Sequence, residues 1–122
     1  MKLATTFLLT ALISAGAAAQ TQQKVPREFQ GEWNMRSADC GTALNDSVLN
    51  LSSNRVRYYE MSGPIRGVLK RGREIALLAE VSGEGETNLH VAHFRLSRDG
   101  RTLTDVLSTP ALVRYRCPVR RR

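Results

Sequence analysis

The stretch Phe29-Gln30-Gly31-Glu32-Trp33 contains the chain's only tryptophan and begins its first strand-like pattern. Apolar and polar residues alternate from Phe29 to Arg36, as in a strand with one buried face. Similar short runs follow as far as Cys117, separated by turn-forming residues such as Asp99-Gly100. About eight such runs and no helical periodicity predict an all-β fold.

The spacing of the runs favours a single antiparallel meander, because turn signals recur about every eight to twelve residues. We expect the meander to close into a barrel, since closure removes the two exposed edges of an open sheet. A two-sheet β-sandwich is the alternative. The longest strand candidate, 88–97, changes its apolar register after Val91, which predicts a bulge or a strand buried on both faces.

Two cysteines, Cys40 and Cys117, lie near the two ends of this strand-rich region. In an exported chain two cysteines most simply form one disulfide. A disulfide between them requires Cα atoms within about 6 Å. It would therefore bring the first and last strands together, as barrel closure does.

The N-terminal residues have the layout of a secretory signal peptide: a basic start, an apolar run from Leu3 to Ile13 and small residues at Ala17 to Ala19. The apolar run is too short to span a bilayer as a helix. We expect a periplasmic or secreted protein whose mature chain has no transmembrane segment. The predicted organisation is a signal peptide (1–19), a flexible lead-in (20–28), a β-barrel domain (29–118) and a disordered basic tail (119–122).

The formal net charge is +7, and arginine dominates the basic residues. Export argues against nucleic acid as the partner of this charge. An anionic envelope surface or an acidic protein partner fits better. Alternatively, the charge only keeps a small barrel soluble.

The Gly31-x-Trp33 opening resembles the G-x-W signature of the lipocalin and wider calycin group. That resemblance implies that Trp33 plugs the barrel base and that an arginine of the last strand packs across it. Arg114 and Arg116 are the available matches, and we take Arg116 as the second plug residue.

Alternation along the last strand conflicts with that assignment. It predicts an inward set of Val113, Tyr115 and Cys117, which would turn both arginines outward. The Arg116-Cys117-Pro118 ending also resembles small proteobacterial periplasmic proteins, a likeness that implies no activity.

Tyr58, Glu60 and Arg66 form the first candidate binding patch. Val56, Tyr58 and Glu60 share one face of a predicted strand, so Glu60 is expected to point into the barrel near its mouth. A buried carboxylate needs a partner, which Arg66 could supply. The patch would anchor a ligand or partner; alternatively, it is a structural ion pair at a strand end.

Glu84 and Glu86 form a second candidate contact surface, on a glycine-rich hairpin tip. Two carboxylates are too few for calcium. His90 and His93 should point to opposite faces of their strand, so we predict neither a metal site nor a cofactor. The common catalytic motifs are missing from the sequence, and we do not expect an enzyme.

These observations predict a monomeric, non-enzymatic binding domain. The first hypothesis is a protein-interaction module of the cell envelope, of which a hydrolase inhibitor is one form. The alternative is a lipocalin-like carrier of a small apolar ligand. Size favours the module, because side chains can fill a barrel of about eight strands.

Overall fold

The structure, a computed structural model, describes residues 19–22 and 24–119. The predicted signal peptide up to residue 18, and residues 120–122 of the predicted tail, lie outside the described residues. Within the described ranges, no helix has the length and apolar character needed to cross a membrane.

Strands β2 to β9 form a closed antiparallel barrel of eight strands, which confirms the predicted meander. Each strand pairs with the next along the chain, and β9 returns to pair with β2. The closed barrel excludes the β-sandwich alternative. The strands in the described residues are β1 (Gln20–Gln22), β2 (Gly31–Asn34), β3 (Leu49–Leu51), β4 (Arg55–Arg57), β5 (Ser62–Arg71), β6 (Glu74–Gly83), β7 (Glu86–Leu96), β8 (Thr102–Asp105) and β9 (Leu112–Arg116).

The lead-in includes strand β1, which pairs with the second half of β5, along Val68 to Lys70. β4 covers only the first half of β5, so that second half would otherwise be an exposed edge. Val25 is buried, and a short 3-10 turn at Arg27–Phe29 leads into β2.

The barrel interior is filled by side chains. Alternate residues of β6 and of the second half of β7 are buried, and the largest inward side chains of the barrel are almost completely buried. This core occupies the space that a hollow barrel would offer to a ligand. Its largest apolar members are Phe29, Trp33, Leu49, Val56, Val68, Ile75, Leu77, Phe94 and Leu103.

Trp33 and Arg116 stack on each other at the end of the barrel that we call the base. Register pairs the two residues across β2 and β9, and the guanidinium carbon of Arg116 lies 4.2 Å from the centre of the Trp33 ring. The Trp33 indole N–H donates to the Phe29 carbonyl at 3.0 Å. Arg116 donates to the carbonyls of Gln30 and Gly100, each at 2.9 Å. The ring face and these carbonyls contact a guanidinium group that is only partly exposed to water.

The predicted inward set of β9 is wrong for two of its three members. Val113 and Tyr115 are exposed, whereas Arg114 is buried; Cys117 is buried, as predicted. The pairing with β2 sets the faces, because it places Arg116 on the same side of the sheet as Trp33. Hydrogen bonds and stacking allow the guanidinium groups of Arg114 and Arg116 to point inward. A pattern based on apolar residues alone predicts instead that the neighbouring valine and tyrosine point inward.

The disulfide prediction is confirmed: Cys40 and Cys117 are bonded, with their Cα atoms 5.6 Å apart. Glu32, between the two cysteines in space, holds both flanking segments. Its carbonyl accepts from the Cys117 N–H and its carboxylate from the Gly41 N–H, both at 2.8 Å.

The bulge predicted for residues 88–97 is also wrong. β7 pairs with β6 without interruption from Glu86 to Arg95, and the irregular register lies in β5, between Ile65 and Gly67. Leu89 and Val91 are therefore on the outer face, while Ala92, Phe94 and Leu96 are in the core. β7 is thus a regular strand whose apolar residues lie on the outer face up to Val91 and on the inner face from Ala92 onwards.

Candidate functional site

The long strand β7 is only partly covered by its neighbour β8. β7 has eleven residues and β8 has four, and the two pair only along Phe94 to Leu96. Residues 86–92 of β7 pair with β6 alone. We call these seven residues the open edge, since no other strand in the described part of the chain pairs with them.

Backbone groups of the open edge point in a direction that the flanking hydrogen bonds define. Leu96 donates its N–H to the Arg73 carbonyl, on the side of β6, and the His93 carbonyl accepts from Val106, on the side of β8. These directions alternate along an antiparallel strand. Thr87, Leu89 and Val91 therefore direct N–H and C=O groups away from β6.

The outer face beside the open edge is apolar. Leu89 is 70% exposed and Val91 is 58% exposed. Leu78, the cross-strand partner of Val91 on β6, is also exposed. Leu78, Leu89 and Val91 thus form an apolar strip beside the open edge.

The candidate residues Glu84 and Glu86 lie at one end of the open edge. Glu84 and Gly85 form the two-residue turn between β6 and β7, with φ of 51° and 80°. Positive φ at both positions is typical of a tight hairpin turn. Both glutamates are exposed and give this end of the edge a negative charge.

The expected pair of Glu60 and Arg66 is not formed. β4 ends at Arg57, and the Tyr58 N–H donates to the Met61 carbonyl at 2.7 Å, which closes a turn. Strand alternation stops there, so Glu60 is exposed on the turn instead of pointing into the barrel. Arg66 forms an exposed ion pair with Glu80 at 3.2 Å.

Four polar side chains meet inside the barrel at the end opposite the base, which we call the mouth. Tyr58 Oη and His90 Nε2 are hydrogen-bonded at 2.8 Å, and their rings are arranged edge to face. Arg114 Nη1 lies 3.7 Å from the Asp105 carboxylate, while Arg114 Nε donates to the Ser47 carbonyl at 2.7 Å. We call Tyr58, His90, Asp105 and Arg114 the mouth cluster.

Burial determines the protonation of the mouth cluster. It raises the pKa of Tyr58, an effect that the Arg114 charge opposes and the Asp105 charge reinforces. It lowers the pKa of His90, which Asp105 partly offsets. It also lowers the pKa of Arg114, although a guanidinium remains charged at any physiological pH. Near neutral pH the cluster thus joins a phenol, a neutral imidazole and a carboxylate–guanidinium pair.

The mouth cluster fixes the loops around it. Arg114 holds the loop before β3 through Ser47, whose hydroxyl also donates to the Asn34 side chain at 3.1 Å. Asp105 is the last residue of β8, so its ion pair with Arg114 holds that strand where it ends. Sequence reasoning identified Tyr58 but missed the other three members. For His90 and Asp105 the available signal was their alternation with the apolar residues Phe94 and Leu103, which are buried on the same strands.

One group of potential metal ligands occurs in the described residues. It comprises Glu32, Cys40 and Cys117, whose ligand atoms lie within 4.8 Å of one another. Both sulfur atoms are in the disulfide and the carboxylate accepts a backbone hydrogen bond, so the arrangement holds the corner together.

The structure brings the candidate residues to three separate places: Tyr58 to the mouth cluster, Glu60 and Arg66 to the outer surface, and Glu84 with Glu86 to the tip of the open edge. Comparisons with protein-family models, with curated proteins and with solved structures gave no match to this chain.

Proposed function

We propose that this protein is an exported, non-enzymatic protein-interaction module of the cell envelope. The open edge carries the proposal, because it combines unpaired backbone groups with exposed Leu89 and Val91 in an otherwise closed barrel. Uncovered strand edges are templates for pairing with another chain. An envelope hydrolase is one class of partner for such a module.

Two further features support an exported binding role. The Cys40–Cys117 disulfide suits an oxidising compartment such as the periplasm or the exterior. The packing of Arg116 on Trp33 supports the likeness to lipocalin-type barrels, in which the same two residue types close the base. Here the filled interior favours binding through the outer surface over a carrier of a small apolar ligand.

Site-specific cross-linking in the native host tests this function. A photoreactive amino acid would replace Leu89 at the open edge or, as a control, Tyr115, which is exposed on β9 and pairs with both β2 and β8. We expect one envelope protein, identified by mass spectrometry, to be cross-linked from position 89 and not from position 115.

Native mass spectrometry of the protein purified from its own compartment provides the opposing outcome. A small molecule that stays bound natively and is released on denaturation would overturn the module in favour of the carrier. Equal cross-linking from positions 89 and 115 would also overturn it, because the surface would then show no specific site.

A further inference from the structure

We propose that the open edge binds an extended segment of another protein as an added β-strand, continuing the line of β8, and that this segment is apolar on its outer face and acidic at the end nearest Arg95. The inference rests on the proposed function and deepens it by giving the partner's conformation and chemistry. Addition of a strand to an exposed sheet edge is a general mode of peptide recognition.

The position left beyond β8 is already prepared for a strand. β8 ends at Asp105, and its line along β7 finishes where the Val106 N–H donates to the His93 carbonyl at 2.9 Å. From there towards the hairpin tip, Val91, Leu89 and Thr87 present N–H and C=O groups in the same direction as His93. An incoming strand would form the ladder that β8 forms with Phe94 to Leu96.

Side chains of the added strand would meet two different faces. On the outer face they would lie beside Leu89 and Val91, which favours apolar residues there. On the inner face they would lie beside Asn88 and His90, at the rim of the mouth, which favours polar residues. An alternating sequence therefore fits this edge, and the apolar half would cover the exposed strip.

Charge determines which end of the segment is acidic. His93 and Arg95 follow the open edge on its outer face, whereas Glu84 and Glu86 lie at its tip. Glu74 contacts both His93 and Arg95, at 3.3 Å and 3.7 Å, and forms an ion pair with Arg95. The formal net charge of +7 attracts an acidic residue at long range, and repulsion from Glu84 and Glu86 at the tip favours the Arg95 end for it.

A synthetic peptide probes the edge directly. Its seven residues are an aspartate followed by alternating valine and threonine. When the peptide runs antiparallel to β7 along the open edge, the aspartate lies at the end nearest Arg95 and valines lie opposite Val91 and Leu89. In NMR titrations with isotopically labelled protein, we expect the amides of Thr87, Leu89 and Val91 to shift and to gain protection from hydrogen exchange. The amides of Asn88 and His90 already face β6 and should change less.

Substitutions at one position separate backbone pairing from side-chain contact. Leu89→Pro removes an N–H that faces the open edge, a site where proline is compatible with an edge strand. Loss of that hydrogen bond should weaken peptide binding at least about fivefold. Leu89→Thr keeps the N–H and should stay within roughly threefold of the wild type, since it removes only one apolar contact. A lysine in place of the peptide's aspartate should weaken binding roughly two- to fivefold at low salt.

Three results would overturn the inference. They are peptide binding that Leu89→Pro leaves intact, no binding at millimolar peptide, and concentration-dependent self-association that protects the same three amides without peptide, which would assign the edge to a second copy. If Leu89→Pro does not fold, hydrogen exchange in the wild type tests the inference. Peptide-dependent protection of the Thr87, Leu89 and Val91 amides supports strand addition, and its absence overturns it. A cross-link from position 89 together with an unaffected Leu89→Pro variant would refute strand addition and leave the interaction function standing.

Discussion

Breaking the Cys40–Cys117 disulfide should destabilise the protein mainly through its unfolded state. The bridge joins residues 77 positions apart, and closing a loop of that length lowers the conformational entropy of the unfolded chain. The chain-entropy relation gives about 4.5 kcal/mol at 25 °C. For a domain whose free energy of unfolding is about 5–15 kcal/mol, this is a large share.

The native structure should survive the loss, because other contacts hold the same corner. The Glu32 carbonyl accepts from the Cys117 N–H and the Glu32 carboxylate from the Gly41 N–H. The pairing of Trp33 with Arg116 holds β2 against β9 independently of the sulfur atoms. The predicted change in unfolding free energy therefore contains little loss of native packing.

Urea unfolding at 25 °C of the oxidised and chemically reduced wild type measures the effect. The double variant Cys40→Ala/Cys117→Ala provides a second form without the disulfide. We expect a decrease of about 4.5 kcal/mol and a steeper dependence on urea, since the open unfolded chain exposes more surface. Near-ultraviolet circular dichroism should stay native-like before unfolding. A decrease below about 1 kcal/mol would refute the reasoning, because the unfolded ensemble would then hold its ends together without the bridge.

Three other substitutions or titrations test the packing. Trp33→Ala should cost about 3–5 kcal/mol in urea unfolding, because the ring is fully buried; a loss below about 1 kcal/mol would contradict its role as the base plug. Gly63→Ala should cost about 3 kcal/mol or more, since the new methyl would lie 1.6 Å from the Glu80 carbonyl oxygen, whereas Gly67→Ala, with open space around it, should stabilise by about 0.4–1 kcal/mol. Because burial lowers the pKa of His90, the unfolded chain is protonated first, so stability should decrease as the pH falls through about 6.5. His90→Gln should flatten that decrease between pH 7 and 5, and an equally steep decrease in the variant would assign it to other groups.

Barrel closure and the disulfide could be predicted because both follow from local signals. Alternating runs separated by turns specify an antiparallel meander, and two cysteines near its ends specify which ends meet. The direction of the β9 side chains could not be predicted, since alternation alone does not say which of its two faces is inward. Pairing with Trp33 turns Arg116 inward, and carbonyl acceptors satisfy its charge.

The candidate site was harder to predict because it depends on relative strand length. The sequence indicates strands near β7 and β8, but not that β8 ends at Asp105 while β7 extends ten residues alongside β6. Glu60 was misplaced for a similar reason, as a turn that begins at Tyr58 ends the alternation of β4. Both differences arise where a strand ends, and hydrogen bonds formed in the folded chain determine those ends.

The composition of the open edge is itself an argument for a partner. Natural sheets protect exposed edges with lysine, proline, bulges or covering loops. Residues 86–92 contain neither lysine nor proline, and their pairing with β6 has no bulge. The same chain does protect its other long strand, because β1 covers the half of β5 that β4 leaves exposed. A fold that covers one exposed edge with its own lead-in and leaves Leu89 and Val91 uncovered on another is best explained by an edge that a different chain covers.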